Sequence, residues 1–267
     1  MELIPIVSRY GLEGISPDLN VMQDAEYAAR ADALRKEHGL KWGLFPMPAN
    51  FFEATDIEFE EGLETLKRWG ETLNRYQITR CYNHIPPSCD ERQYDRNFDW
   101  HVKRLERLTR VTEDIGLDYG LECGGPTDAQ RKKRFPFIHT AAGAFALINA
   151  AGSKAGIIYD AFHWYTGSNE NLDDLYFVAQ HVDRVVCLHV NDGIAGKSAA
   201  EQEDLTRAMP MTTGVIDSRK FLDLFAVKGY DGPVVCEPLW PTVDHFKKIG
   251  AEAAIRELKE AHLRLLH

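Results

Sequence analysis

Seven short apolar runs alternate with seven longer amphipathic ones along this chain, a rhythm that restricts its fold more than any other property of the sequence. The apolar runs predict strands over Leu3–Val7, Leu40–Phe45, Ile78–Asn83, Leu117–Cys123, Gly156–Phe162, Val185–Val190 and Val234–Pro238. The amphipathic runs predict helices over Val21–His38, Asp56–Leu73, Phe98–Ile115, Thr140–Ala151, Asn171–His181, Ser218–Lys228 and Val243–Leu266. Several of these helices reach a glycine just ahead of the next strand, in "KEHG", "EDIG", "NAAG" and "AVKG", as a left-handed helix terminus requires. Strict alternation implies a parallel sheet with crossover helices, here one α/β domain over residues 1–267.

Whether that sheet is open or closed turns on where its polar residues fall. An open dinucleotide-binding sheet needs a glycine fingerprint after an early strand, and the chain has none. Instead, four later strands carry a metal-type side chain at or near the C-terminal end: "GLEC" (Glu122), "YDAFH" (Asp160, His163), "CLHVND" (His189) and "VCEP" (Glu237). In a closed β/α barrel those ends meet at one mouth, so a barrel is the expected architecture. The rhythm yields seven strand–helix units where a complete barrel has eight. Either the first unit is missing or the barrel is incomplete.

The bulk composition removes several function classes. With 41 acidic against 31 basic residues the net charge is −10, which repels a phosphate backbone and argues against nucleic acid as a partner. No run of 18 apolar residues is present, so no membrane span is expected. The N-terminal "MELIPIVSRYGLEG" lacks the pattern of a secretory signal. Five scattered cysteines (Cys81, Cys89, Cys123, Cys187, Cys236) without a CxxC pair suit a reducing, cytoplasmic setting.

Glu122, Asp160, His189 and Glu237 lie 38, 29 and 48 residues apart, so only the barrel can bring them together. Any one of them alone reads as a helix cap or a surface ion pair. As a set they are three carboxylates and one imidazole, which suits one divalent ion: Mn²⁺ first, with Mg²⁺, Co²⁺ or Zn²⁺ as alternatives. Four protein ligands would leave a position for substrate oxygens. Cys187 shares the inward side with His189 by alternation and reads as core filling.

This order of motifs (Glu on one strand, D-x-x-H on the next, H-x-x-D after that, then the Glu of "GYDGPVVCE") resembles the xylose-isomerase-like barrel superfamily. That superfamily includes ketose 3-epimerases, hydroxypyruvate isomerase, inosose dehydratase and the apurinic endonucleases. The similarity runs from about Leu40 to the end and is strongest over residues 117–239, with "GVID" (214–217) as a further match. The family's Pro-Gly-x-Gly reads "PMTTG" here. Met1-Glu2-Leu3 resembles the family's second strand, which favours a missing first β/α unit.

The resemblance implies a metal held by Glu122, Asp160, His189 and Glu237, with Glu122 and Glu237 doubling as the acid/base pair. A metal on a ketose carbonyl and its neighbouring hydroxyl makes the intervening C–H acidic, one glutamate removes the proton, and the other returns one to the opposite face. It also implies substrate contacts from His163, His84 and Asp192, and a basic residue between His189 and Gly214, for which Lys197 and Arg207 are candidates. His163 reads equally as an orienting partner of Asp160, and Asp192 as a loop cap. Phe162, Trp164 and Tyr165 form either a wall against a sugar ring or core packing.

The function implied is a metal-dependent sugar or polyol isomerase or epimerase. The alternative is a lyase or dehydratase on a keto-sugar or inosose, using the same first step. The partner is a small carbohydrate, and the family often forms dimers or tetramers. The endonuclease branch needs a histidine after the third strand and a D-x-H near residue 217, and both are lacking.

Overall fold

The computed structural model describes residues 1–266. Six strands form one sheet: β1 Phe45–Pro46, β2 Arg80–Ile85, β3 Asp118–Cys123, β4 Gly156–Asp160, β5 Val185–Val190 and β6 Val234–Cys236. They stand side by side in chain order, and every neighbouring pair is parallel. Helices lie between successive strands, among them Asp56–Tyr76, Tyr94–Ile115, Ala141–Ala150 and Ser218–Val227. Ahead of β1, the short segments Gly14–Ile15 and Lys41–Trp42 pair in parallel as well.

Local chemistry sets the element ends. Thr55 and Glu58 close a reciprocal capping box at the start of Asp56–Tyr76. Gly39, Gly116, Gly152 and Gly229, the four glycines of the helix-terminating motifs, all have positive φ. A glycine also splits the predicted C-terminal helix: Thr242–Ile249 stops at Gly250 (φ 81°), and Ala251–Leu266 follows.

The first predicted strand is not one. Leu3–Arg9 is a helix, with Pro5 in its first turn. Ile4 and Val7, three apart, are buried in a small cluster with Leu40 and Ile255. The apolar spacing there was helical, and the run was too short to distinguish period 2 from period 3.6. The strand-like reading of Met1-Glu2-Leu3 falls with it.

Alternation divides each strand between two cores. Cys81, Leu121, Ile157, Tyr159, Leu188 and Val190 face the helices in the main core. Leu44, Ile158 and Cys187 fill the inside of the curl, with Tyr82, Val186 and Val235 against them. Cys187 is core filling, as expected. Gly120 belongs to this inner layer because a Cβ there would meet the Ile158 side chain at 2.6 Å. On β2 to β5 the next inward residue toward the C-terminal end is polar, as is Glu237 just after β6, and these residues form the mouth.

Candidate metal centre

Four adjacent strands each present one ligand-type side chain at that mouth. Glu122 on β3, Asp160 ending β4, His189 on β5 and Glu237 just after β6 offer atoms that all lie within 4.8 Å of one another. Register makes this possible. His84 pairs opposite Glu122, and Asp160 opposite His189. The second pairing depends on an irregularity between β4 and β5, where Ile157 pairs with Val185 but Ile158 pairs with Cys187. Without that one-residue bulge, Asp160 would stand opposite Leu188.

His189 is central. Its Nδ1 lies 3.3 Å from Glu122 Oε1, 3.5 Å from Glu237 Oε2 and 4.0 Å from Asp160 Oδ2. That nitrogen and both oxygens of Glu122 are buried without a hydrogen-bond partner. Orphaned groups of this kind each cost roughly 1–3 kcal/mol. A single cation at their meeting point would satisfy all three, and a three-carboxylate, one-imidazole donor set suits a divalent ion. The residues therefore fit a metal.

Asp160 is the most tightly held of the four. It caps the helix Ala161–Ser168 through the backbone N–H groups of Phe162 and His163. Asn191 Nδ2 donates to its two oxygens at 3.1 and 3.2 Å. Arg207 Nη1 donates to Asp160 Oδ2 at 2.8 Å and to Glu237 Oε2 at 2.6 Å. The guanidinium is itself fixed by the Asp204 carbonyl and carboxylate, and it lies over the Phe162 ring.

Charge settles the ionisation of the buried groups. Burial alone would raise Glu122, but the His189 and His84 rings beside it hold its carboxyl well below the usual range. Burial would likewise lower His189, and the Glu122 carboxylate overrides it, raising the imidazole well above its ordinary value. For Asp160 the penalty of burial is outweighed by Arg207 and His163, leaving its carboxyl low.

His163 Nδ1 accepts from the Gly125 N–H at 3.0 Å. Its Nε2 faces the site, 3.1 Å from Arg207 Nη2, a group that can only donate, and 4.0 Å from Glu122 Oε1. Gly125 can come this close only because it lacks a side chain: a Cβ would sit 2.2 Å from the His163 carbonyl oxygen. His84 Nε2 lies 3.2 Å from Glu122 Oε2. Side-chain exposure is 1% for Glu122, 5% for His189 and 4% for Arg207, against 29% for Glu237 and 56% for His84. The site thus opens to solvent on the Glu237–His84 side.

Three sequence expectations are corrected. Asp192 is not free to bind substrate: its fully buried carboxylate accepts the backbone N–H groups of Gly193, Thr212, Thr213, Gly214, Val215 and Ile216. Trp164 is no sugar wall. It is buried, its indole N–H donates to the Asn171 carbonyl, and its ring packs on Phe221. Phe162 and Tyr165 also belong to the main core, Phe162 beneath Arg207. Lys197 pairs with Glu203 on the surface, whereas Arg207 reaches the site. Sequence reasoning missed Asn191 and Gly125. Two-residue alternation from His189 points to Asn191, but an amide does not register in a search for metal ligands.

Comparison with known proteins gives a consistent picture. A family model described as the xylose isomerase-like TIM barrel matches residues 4–264. A xylose isomerase domain protein from Alicyclobacillus acidocaldarius superposes with a TM-score of 0.82 at 24% identity, over 99% of this chain and 92% of that one. The IolI protein, solved with a bound zinc atom, gives 0.76 at 18% identity, again over 99% and 92%. A 3-keto-D-glucoside 4-epimerase from E. coli gives 0.72 at 20% identity, with the same coverage. No curated protein matches by sequence.

Proposed function

Because this chain belongs to the xylose isomerase-like TIM barrel family, we propose that it is a divalent-metal-dependent isomerase or epimerase of a sugar or polyol, acting by enolisation. The observation that carries this reading is the pair of glutamates at the convergence point, Glu122 sealed and Glu237 open to solvent, with His189 between them. Glu122, Asp160, His189 and Glu237 would hold the ion, with Mn²⁺ favoured and Mg²⁺, Co²⁺ or Zn²⁺ as alternatives. Once bound, it would polarise a substrate carbonyl and offset the charge that builds on its oxygen. Glu122 and Glu237 act as base and acid on the two faces of the carbon that loses its proton. Arg207 and His163 face the substrate oxygens, and His84 contacts the substrate at the open side. The zinc-bearing IolI and the 3-keto-D-glucoside 4-epimerase among the similar structures support a metal and a keto-sugar. The reading carries with it a small carbohydrate as partner rather than nucleic acid. A cytoplasmic setting is the location we propose, on the strength of the five free cysteines.

The test is to incubate manganese-loaded protein with a panel of ketoses, inososes and 3-keto glycosides in D₂O. Solvent deuterium appearing in recovered substrate or in an epimer is the expected result. Glu122→Gln and Glu237→Gln should each abolish it while retaining measurable metal binding. A dehydrated or cleaved product in place of an epimer would reassign the protein as a lyase, and absence of exchange with every substrate would overturn enolisation.

A further inference from the structure

The carboxylates of the site do not match a divalent ion in charge. Glu122, Asp160 and Glu237 carry three negative charges, and a divalent ion with a neutral His189 would leave one of them uncompensated. Arg207 supplies the missing positive charge, since a guanidinium stays protonated in proteins. Its Nη1 is within hydrogen-bond distance of one oxygen of Asp160 and one of Glu237. The same two oxygens lie 4.0 and 3.5 Å from His189 Nδ1.

This charge cannot readily move away. The side chain is 4% exposed, its Nε and Nη2 are bonded to Asp204, and its guanidinium lies 4.8 Å from the Phe162 ring centroid. Asp204 itself is 33% exposed and partly screened by water, so it does not cancel the effect inside the site.

Resting on the metal reading above, we propose that Arg207 is a built-in cation that sets the strength and the charge selectivity of the ion site. It matches the three carboxylates to a divalent ion and disfavours a trivalent one. Its repulsion scales with the charge of the bound ion, so a trivalent ion feels half as much again as a divalent one. Neutralising Arg207 therefore tightens binding of both, and of the trivalent ion by the larger factor.

The experiment uses the full chain, stripped with a chelator and dialysed, as wild type, Arg207→Gln, Arg207→Met and Arg207→Lys. Folding of each is checked by circular dichroism, and Arg207→Gln keeps an amide donor should Arg207→Met fail to fold. Mn²⁺ affinity is read by calorimetry and Tb³⁺ affinity by sensitised luminescence. The neutral variants should bind Mn²⁺ at least about tenfold more tightly than wild type, with a larger gain for Tb³⁺. Arg207→Lys, which keeps the charge, should stay within about threefold of wild type for both ions. Unchanged or weaker Mn²⁺ binding in a folded neutral variant would overturn the proposal, as would equal gains for the two ions. Failure of the wild type to bind any divalent cation would instead overturn the metal reading beneath it.

Discussion

Asn191 holds Asp160 by donating to both carboxylate oxygens from a fully buried position. Its own Oδ1 has no hydrogen-bond partner, so its contribution lies in the two bonds it donates. Partners that orient a metal ligand in this way are typically worth 10- to 100-fold in metal affinity. Asn191→Leu should therefore weaken Mn²⁺ binding by about that factor, measured by calorimetry, with a much smaller change in the far-ultraviolet circular dichroism. An unaltered affinity would show that the helix cap and Arg207 hold Asp160 unaided. The four residues of the candidate metal centre were legible in the sequence because their types are distinctive and each ends an apolar run. Asn191, Gly125 and the bonding of Arg207 were not, because an amide, a backbone N–H and an arginine far along the chain acquire meaning only from what neighbouring strands bring beside them.

Among the elements, the segment after β5 owes its shape to a single anion. Asp192 gathers six backbone N–H groups, three on each oxygen, and so folds residues 212–216 back against the strand end. Bonds to a charged group contribute about 1.5–3 kcal/mol each in isolation and are not additive. Asp192→Ala should accordingly lower the unfolding free energy by several kcal/mol, roughly 3–5 as for other broken buried charge networks. The measurement is urea denaturation, and limited proteolysis should show new cleavage within residues 208–216. The same residue shows where sequence reading stops. The H-x-x-D spacing was visible, but whether a buried aspartate faces ligand or backbone depends on a loop twenty residues on. The bulge in β5 was equally hidden, since alternation alone cannot reveal one extra residue. The long helices were readable because long periodic runs override local ambiguity, whereas short elements were not. Leu3–Arg9 is a helix, the run Leu40–Phe45 divides between Lys41–Trp42 and Phe45–Pro46 in different sheets, and the helix Ala161–Ser168 follows directly on β4.

At the scale of the whole molecule, His101 contributes an acid sensitivity to the fold. This ring is buried in the helix Tyr94–Ile115, stacked on Phe52 and set against Phe137, residues of two segments outside that helix. Burial first, and then the nearby Arg92 and Arg104, pull its pKa down to about 3. Unfolded, it takes up a proton near pH 6.5. Between those values the unfolded chain binds the extra proton, so stability falls as pH drops below about 6.5, by roughly 1.4 kcal/mol per pH unit for this group. His101→Phe, which keeps the aromatic packing, should lose less stability than wild type between about pH 7 and pH 5, as followed by thermal melts. Equal losses would place the acid sensitivity elsewhere. No helix among the described residues is long and apolar enough to cross a membrane.

The one-sided exposure of the two glutamates has an isotopic consequence. On the proposed mechanism, a hydron passed on by Glu237 would be drawn from bulk water, while one lodged on Glu122 would sit on a sealed floor beside the half-exposed His84 ring. Label would therefore wash in readily on one face of the reacting carbon and be remembered on the other, so the two stereochemical directions of a single reaction would carry different histories of the solvent.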